Sequence, residues 1–134
     1  MDQNIHTLAL TIYGETQTAN ISVMEGIANV VLNRVRLAQN GINEWWGKTI
    51  KEVCLKPAQF QCWNNPINLN WNTLIKTDPI YQICHRISVR AIKGLLSDNT
   101  NGATHYHDIN IHPQWAYAGI PCTQISNLLF YDNI

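Results

Sequence analysis

The chain has 134 residues, a formal net charge of zero and only 13 % charged residues, against about 25 % in an average globular domain. That length suits one domain spanning 1–134, able to bury roughly 65–70 % of the surface its unfolded form exposes. With no basic stripe, no polybasic patch and no apolar run near the ~18 residues of a membrane span, neither nucleic acid nor a membrane span is expected.

The first predicted element is an amphipathic helix. Ile5, Leu8, Ala9 and Ile12 recur at helical spacing, and Gly14 marks its expected end. Glu15 then falls at a helix-to-loop junction beside Tyr13 and Ile12. A carboxylate fixed there can be partly desolvated, which favours the protonated form needed for a proton donor. Glu15 is therefore the candidate catalytic acid, the alternative from position alone being a solvated surface glutamate.

Ser22-Val23-Met24-Glu25 reads as a capping box opening a long core helix through Ile27, Ala28, Val31 and Val35 toward Gly41. Thr49-Ile50-Lys51-Glu52 repeats that pattern for a short helix stopped by Pro57. From Gln59 to Asn72 the chain is rich in Asn and Trp without a period, which reads as an irregular loop with functional potential. Asp78-Pro79 restarts order as N-cap and first helical residue, ahead of a buried stripe of Ile80, Ile83, Cys84, Ile87, Ala91, Ile92 and Leu95. Ser97 to Gly102 is the exit turn. Beyond it, Thr104-His105-Tyr106-His107 and Leu128-Leu129-Phe130-Tyr131 read as short strands around a Pro- and Gly-containing loop.

In place of charge the chain carries abundant Asn, five Trp and five Tyr. Rings that pack on sugar C–H faces and amides that bond hydroxyls suit a neutral glycan, although core packing of the rings is an equal use of them. The four cysteines, Cys54, Cys62, Cys84 and Cys122, allow either two disulfides or free thiols, and Cys54 to Cys62 is too wide for a CxxC site. Cys84 lies on an apolar stripe and reads as a buried, inert thiol. His105 and His107 read as a polar surface face of a strand rather than metal ligands. The start of the chain carries no visible export signal.

Several segments together resemble the SleB/CwlJ family of bacterial cell wall hydrolases: Ile12-Tyr13-Gly14-Glu15, the run Ile27 to Val35, Gln59-Phe60-Gln61-Cys62-Trp63-Asn64, Gly102-Ala103-Thr104-His105-Tyr106 and Pro113-Gln114-Trp115-Ala116. The resemblance spans nearly the whole chain. It implies a lysozyme-like, mainly helical α+β domain with a small hairpin or sheet near the C-terminus, acting on peptidoglycan glycan strands in the wall, periplasm or extracellular space. It also places Glu15 at the family's catalytic glutamate. Gln59, Phe60, Trp63, Thr104, Tyr106 and Trp115 are the expected substrate contacts, with no metal, no cofactor and a monomeric enzyme.

Two departures stand out. Thr16-Gln17-Thr18-Ala19 replaces the family's Ala-Arg-Gly and its following Glu or Gln, and Leu128 stands where the family usually has His. With only Glu15 placed by motif, a lytic transglycosylase, which needs a single acid, is favoured over a two-carboxylate hydrolase, and Asp108 reads as a turn former. A zinc amidase drawing on His6, His85, His105, His107 and His112, a non-catalytic glycan-binding module and an intracellular interaction domain are the alternatives.

Overall fold

The computed structural model describes residues 3–16, 19–57, 59–64, 78–132 and 134, without the side chains of Gln61 and Asn64. Among the described residues four α-helices come first: α1 (Gln3–Glu15), α2 (Ile21–Gln39), α3 (Ile50–Leu55) and α4 (Pro79–Ile92). A small sheet follows, built from β1 (His105–Asp108), β2 (Thr123–Ile125) and β3 (Leu128–Tyr131). All pairings are antiparallel in the order β1-β3-β2, with Tyr106 opposite Phe130 and Gln124 opposite Leu129. The mainly helical α+β architecture is the expected one.

Apolar periodicity accounts for the helical layer. Leu8, Ala9 and Ile12 of α1 meet Met24, Ile27, Ala28 and Val31 of α2, and Tyr81, Cys84, Ile87 and Ala91 of α4, in one core cluster. Most of these side chains are fully buried, so each Leu, Ile, Val or Met among them contributes about 1.5–3 kcal/mol relative to exposure. The sheet closes on α2 at Gly26, where a Cβ would lie 3.0 Å from Phe130 Cζ and 3.2 Å from Ile125 Cδ1. A Cβ there would press on both side chains, so glycine suits the close approach of strand and helix.

The helix boundaries correct several expectations. The N-cap of α2 is Asn20, whose side-chain oxygen accepts from Val23 N at 3.2 Å, and Ser22 lies inside the first turn. Asn caps as well as Ser, so the earlier residue takes the position. Glu25 instead pairs with Arg90 across to α4 at 3.4 Å. Thr49 does cap α3, accepting from Glu52 N, and Asp78 with Pro79 opens α4 as expected. That helix stops at Ile92, so Leu95 is 65 % exposed rather than buried, and Ile80 at its first turn is exposed too. Strand β2 has no counterpart among the expected elements. The part of the expected functional loop from residue 65 onward, and the departures Gln17 and Thr18, lie outside the described residues.

Candidate active site

Glu15 is the last residue of α1, and two separate chain segments bind its carboxylate. From β1, the Tyr106 hydroxyl donates a short hydrogen bond to Oε1. From the single helical turn at Gln61–Asn64, the backbone N–H of Cys62 donates to Oε2 at 3.2 Å. Each carboxylate oxygen offers two acceptor positions, so both bonds can stand while one position on each oxygen remains for a ligand. Burial, and then the charge of Glu15, hold the Tyr106 phenol well above the ordinary phenol range. It therefore stays a proton-bearing donor.

The Cys62 arm is fastened to α1. Trp63 Nε1 donates to Thr11 Oγ1 at 2.9 Å, and the Cys62 thiol faces the Thr11 carbonyl at 3.9 Å. Burial and the neighbouring Glu15 charge push that thiol up. Burial likewise pushes Cys54 and Cys84 up to about 12. All four cysteines are free thiols. With so little thiolate, the buried ones are unreactive packing groups.

The β1 arm is fastened to α2 by a polar network. Asn33 Nδ2 donates to the Ala103 carbonyl at 2.9 Å and to Asp98 Oδ2 at 3.1 Å. One turn earlier, Asn29 Nδ2 reaches Ser97 O and Asn99 Oδ1 at 3.0 and 3.1 Å. Burial pushes the Asp98 carboxyl up, but bonds from Thr100, Asn33 and Gly102 outweigh it and leave it below its usual range. Arg34, 4 % exposed, sends Nε to the Thr104 carbonyl at 2.8 Å and a terminal nitrogen to Gln59 Oε1 at 3.0 Å. Its guanidinium lies 5.2 Å from the Trp46 ring and 5.6 Å from the Phe60 ring. Burial lowers it to about 10, so it is charged at neutral pH.

The expected site residues thus divide. Tyr106 binds the Glu15 carboxylate directly, Trp63 fastens the turn that presents the Cys62 N–H, and Gln59 is held by Arg34. Phe60 and Thr104 are 2 % and 3 % exposed, and they form the floor under the site instead of a wall facing solvent. Trp115 is partly exposed and packs against His105, His107 and Tyr131 at centroid distances of 5.2, 5.6 and 5.3 Å. Sequence reasoning missed the roles of Asn29, Asn33 and Arg34. Their signal was three polar side chains at i, i+4 and i+5 on an otherwise apolar helix. The Cys62 N–H has no side-chain signature at all.

The histidines are dispersed. His6 bonds the Tyr81 hydroxyl, and His112 is exposed. His107 is buried, between the Asp108 carbonyl and the Tyr131 hydroxyl, which corrects the expectation of a surface face for the His-x-His pair. Burial and then the charge of Arg34 lower His105 to about 4. Among the described residues no three His, Cys, Asp or Glu side chains form a metal-ligand group. Asp108 accepts from Asn110 N at 2.8 Å, the turn-forming role expected of it. Leu128 joins the apolar packing around Phe130.

The family model for cell wall hydrolases matches residues 19–131. Two solved structures resemble the whole chain. The catalytic domain of SleB from Bacillus anthracis, described as a germination-specific lytic transglycosylase, aligns with a TM-score of 0.73 at 20 % identity, covering 98 % of this chain and 96 % of that one. The catalytic domain of the Bacillus cereus SleB protein aligns with a TM-score of 0.68 at 22 % identity, covering 97 % and 91 %. No curated protein matches. At such identities the structural likeness speaks for the fold, and the matched family span begins after Glu15. The case for this glutamate therefore rests on the geometry around it.

Proposed function

The chain belongs to the cell wall hydrolase family, and from that premise we propose that it is a peptidoglycan lytic transglycosylase with Glu15 as its single acid and base. The observation that carries this reading is the bracketed carboxylate: Tyr106 on one oxygen and Cys62 N–H on the other. Both donors hold the group in one orientation without consuming it in an ion pair. Protonated Glu15 gives its proton to the oxygen joining C1 of N-acetylmuramic acid to N-acetylglucosamine, and that bond breaks. The resulting carboxylate takes the proton from the muramic acid C6 hydroxyl as O6 bonds to C1 and closes a 1,6-anhydro ring. Glu15 ends protonated, ready for the next strand.

A two-carboxylate hydrolase needs a second acid at roughly 5–9.5 Å to attack or to activate water. Three aspartates are committed elsewhere: Asp78 to Tyr13 and the start of α4, Asp98 to its loop and Asp108 to its turn. An internal hydroxyl as nucleophile removes the need for that second group. Trp63 and Trp115 serve as ring platforms for sugar C–H faces. The substrate lies in the cell wall, so the enzyme works there or in the periplasm, as a monomer on neutral glycan. No described helix is long and apolar enough to cross a membrane.

Mass spectrometry of peptidoglycan digests tests the reaction. Fragments ending in 1,6-anhydromuramic acid, formed equally well with chelator present, are the expected products. Reducing muramic acid ends would make water the nucleophile and overturn the lytic assignment. Free stem peptides that vanish with chelator would replace it with amidase chemistry.

A further inference from the structure

The acid–base cycle of Glu15 makes no direct use of Arg34, yet Arg34 is the least expected group near it. A guanidinium 4 % exposed loses several kcal/mol of hydration, and among the described residues no carboxylate pairs with it. What compensates it is two hydrogen bonds and two ring faces. Those partners are not scattered. Thr104 lies two residues before Tyr106, so the bond to its carbonyl anchors the strand that presents the phenol to Oε1. Gln59 lies three residues before Cys62, and Phe60 between them covers the guanidinium, so the second bond anchors the turn that presents its N–H to Oε2. The Trp46 indole, the second ring against the guanidinium, returns a bond to the Arg34 carbonyl at 2.9 Å.

We propose that Arg34 is a positioning residue for the Glu15 carboxylate: one forked side chain ties together the two segments that hold its two oxygens. The inference rests on Glu15 being the proton donor proposed above. A fork is required because the two acceptors lie on different segments and the planar cation lies over two aromatic rings, geometry that a point-charge ammonium does not supply. Displacing a reacting group by about 1 Å can cost about 10²-fold in rate, which is the scale at stake if either tie is cut.

The test is a mutant cycle on soluble glycan strands, with rates normalised to folded protein. Arg34→Lys should lower kcat by about 10- to 100-fold and leave KM within about 3-fold, because position and not affinity is lost. Adding Tyr106→Phe to Arg34→Lys should cost less than about 3-fold more, since both act on one restraint. Losses that multiply, or that only track the folded fraction, would overturn the role. Should Arg34 variants fail to fold, the half-buried Gln59 decides: Gln59→Leu should lower kcat while Gln59→Glu, which keeps an acceptor, restores it. Equal rates for those two variants would sink the proposal. Glu15→Gln assayed alongside separates the two readings. Activity retained there removes the acid assignment, whereas activity lost there with multiplying Arg34 losses removes only the positioning role.

Discussion

The helical layer and the loop that leads into β1, Ser97 to Thr104, are fastened to the same helix, α2, by different means, while the sheet itself packs on α2 through the apolar side chains of Phe130 and Ile125 at Gly26. Toward α1 and α4, α2 offers Ile27, Ala28 and Val31, and the contact is apolar burial without direction. Toward the loop and β1 it offers Asn29, Asn33 and Arg34, and the contact is a set of hydrogen bonds to particular carbonyls. Apolar packing gives more stability per residue, but it tolerates small shifts. Directional bonds to Ala103 and Thr104 specify where Tyr106 stands, and so where Glu15 is held. The core makes the molecule fold, and the polar seam makes the site.

The largest expected effect isolates the chemistry from both regions. Glu15→Gln keeps shape and most hydrogen bonding while removing the transferable proton, so fragment release should fall by about 10²- to 10⁴-fold with the melting temperature nearly unchanged. Activity within a few-fold of the parent would mean that the acid lies elsewhere.

Next come the two attachments of α2. Ile27→Ala empties a fully buried site and should cost about 2–5 kcal/mol in denaturant unfolding, while activity per folded molecule survives. Asn33→Ala should cost only about 1–3 kcal/mol yet lower activity per folded molecule, because the Ala103 carbonyl loses its anchor. Equal changes in activity per folded molecule would mean that the Asn33 bonds do no more to place the site than apolar burial does.

Acid should loosen the site-bearing region by a separate route. Burial, then Arg34, lowers the half-buried His105 from 6.5 to about 4, so the unfolded chain binds the extra proton first as pH falls. The contribution of neutral His105 is complete above about 6.5 and is lost progressively down to about 4. Melting temperatures between those values should decline with pH, and His105→Gln should flatten that limb. A parallel decline in the variant would assign it to other groups. The smallest effect is expected at Trp115, which is 38 % exposed. Trp115→Ala should weaken strand binding by roughly tenfold with a stability cost near 1 kcal/mol. A loss of activity that merely follows unfolding would make that ring part of the packing of His105 and Tyr131 and not a sugar platform.

Much of the helical layer was legible because its signals are local. The α1 stripe, the Asp78-Pro79 start and the Thr49 cap need only neighbouring residues to be recognised. The capping box at Ser22 was misplaced for the same reason, since Asn20 offers equivalent chemistry two residues earlier. Strand β2 was invisible because Thr123-Gln124-Ile125 has no periodicity to read, and only pairing with β3 makes it a strand. His107 read as surface because alternation on a four-residue strand does not say that Trp115 and Tyr131 will cover it.

What the amino-acid sequence determined by itself is the helical scaffold, the fold class and the placement of Glu15 near the end of α1, since apolar period and caps act within a few residues of one another. Gly14, the expected stop, lies inside the helix, which runs one residue further to Glu15. The tertiary structure alone decided which groups hold that carboxylate. Tyr106 lies 91 residues away, Cys62 contributes a backbone N–H that any residue but proline could supply, and Arg34 looks like an ordinary helix-surface cation until Trp46 and Phe60 close over it. Hydrogen bonds depend on distance and angle between segments remote in the chain, and those are set only when the core has packed.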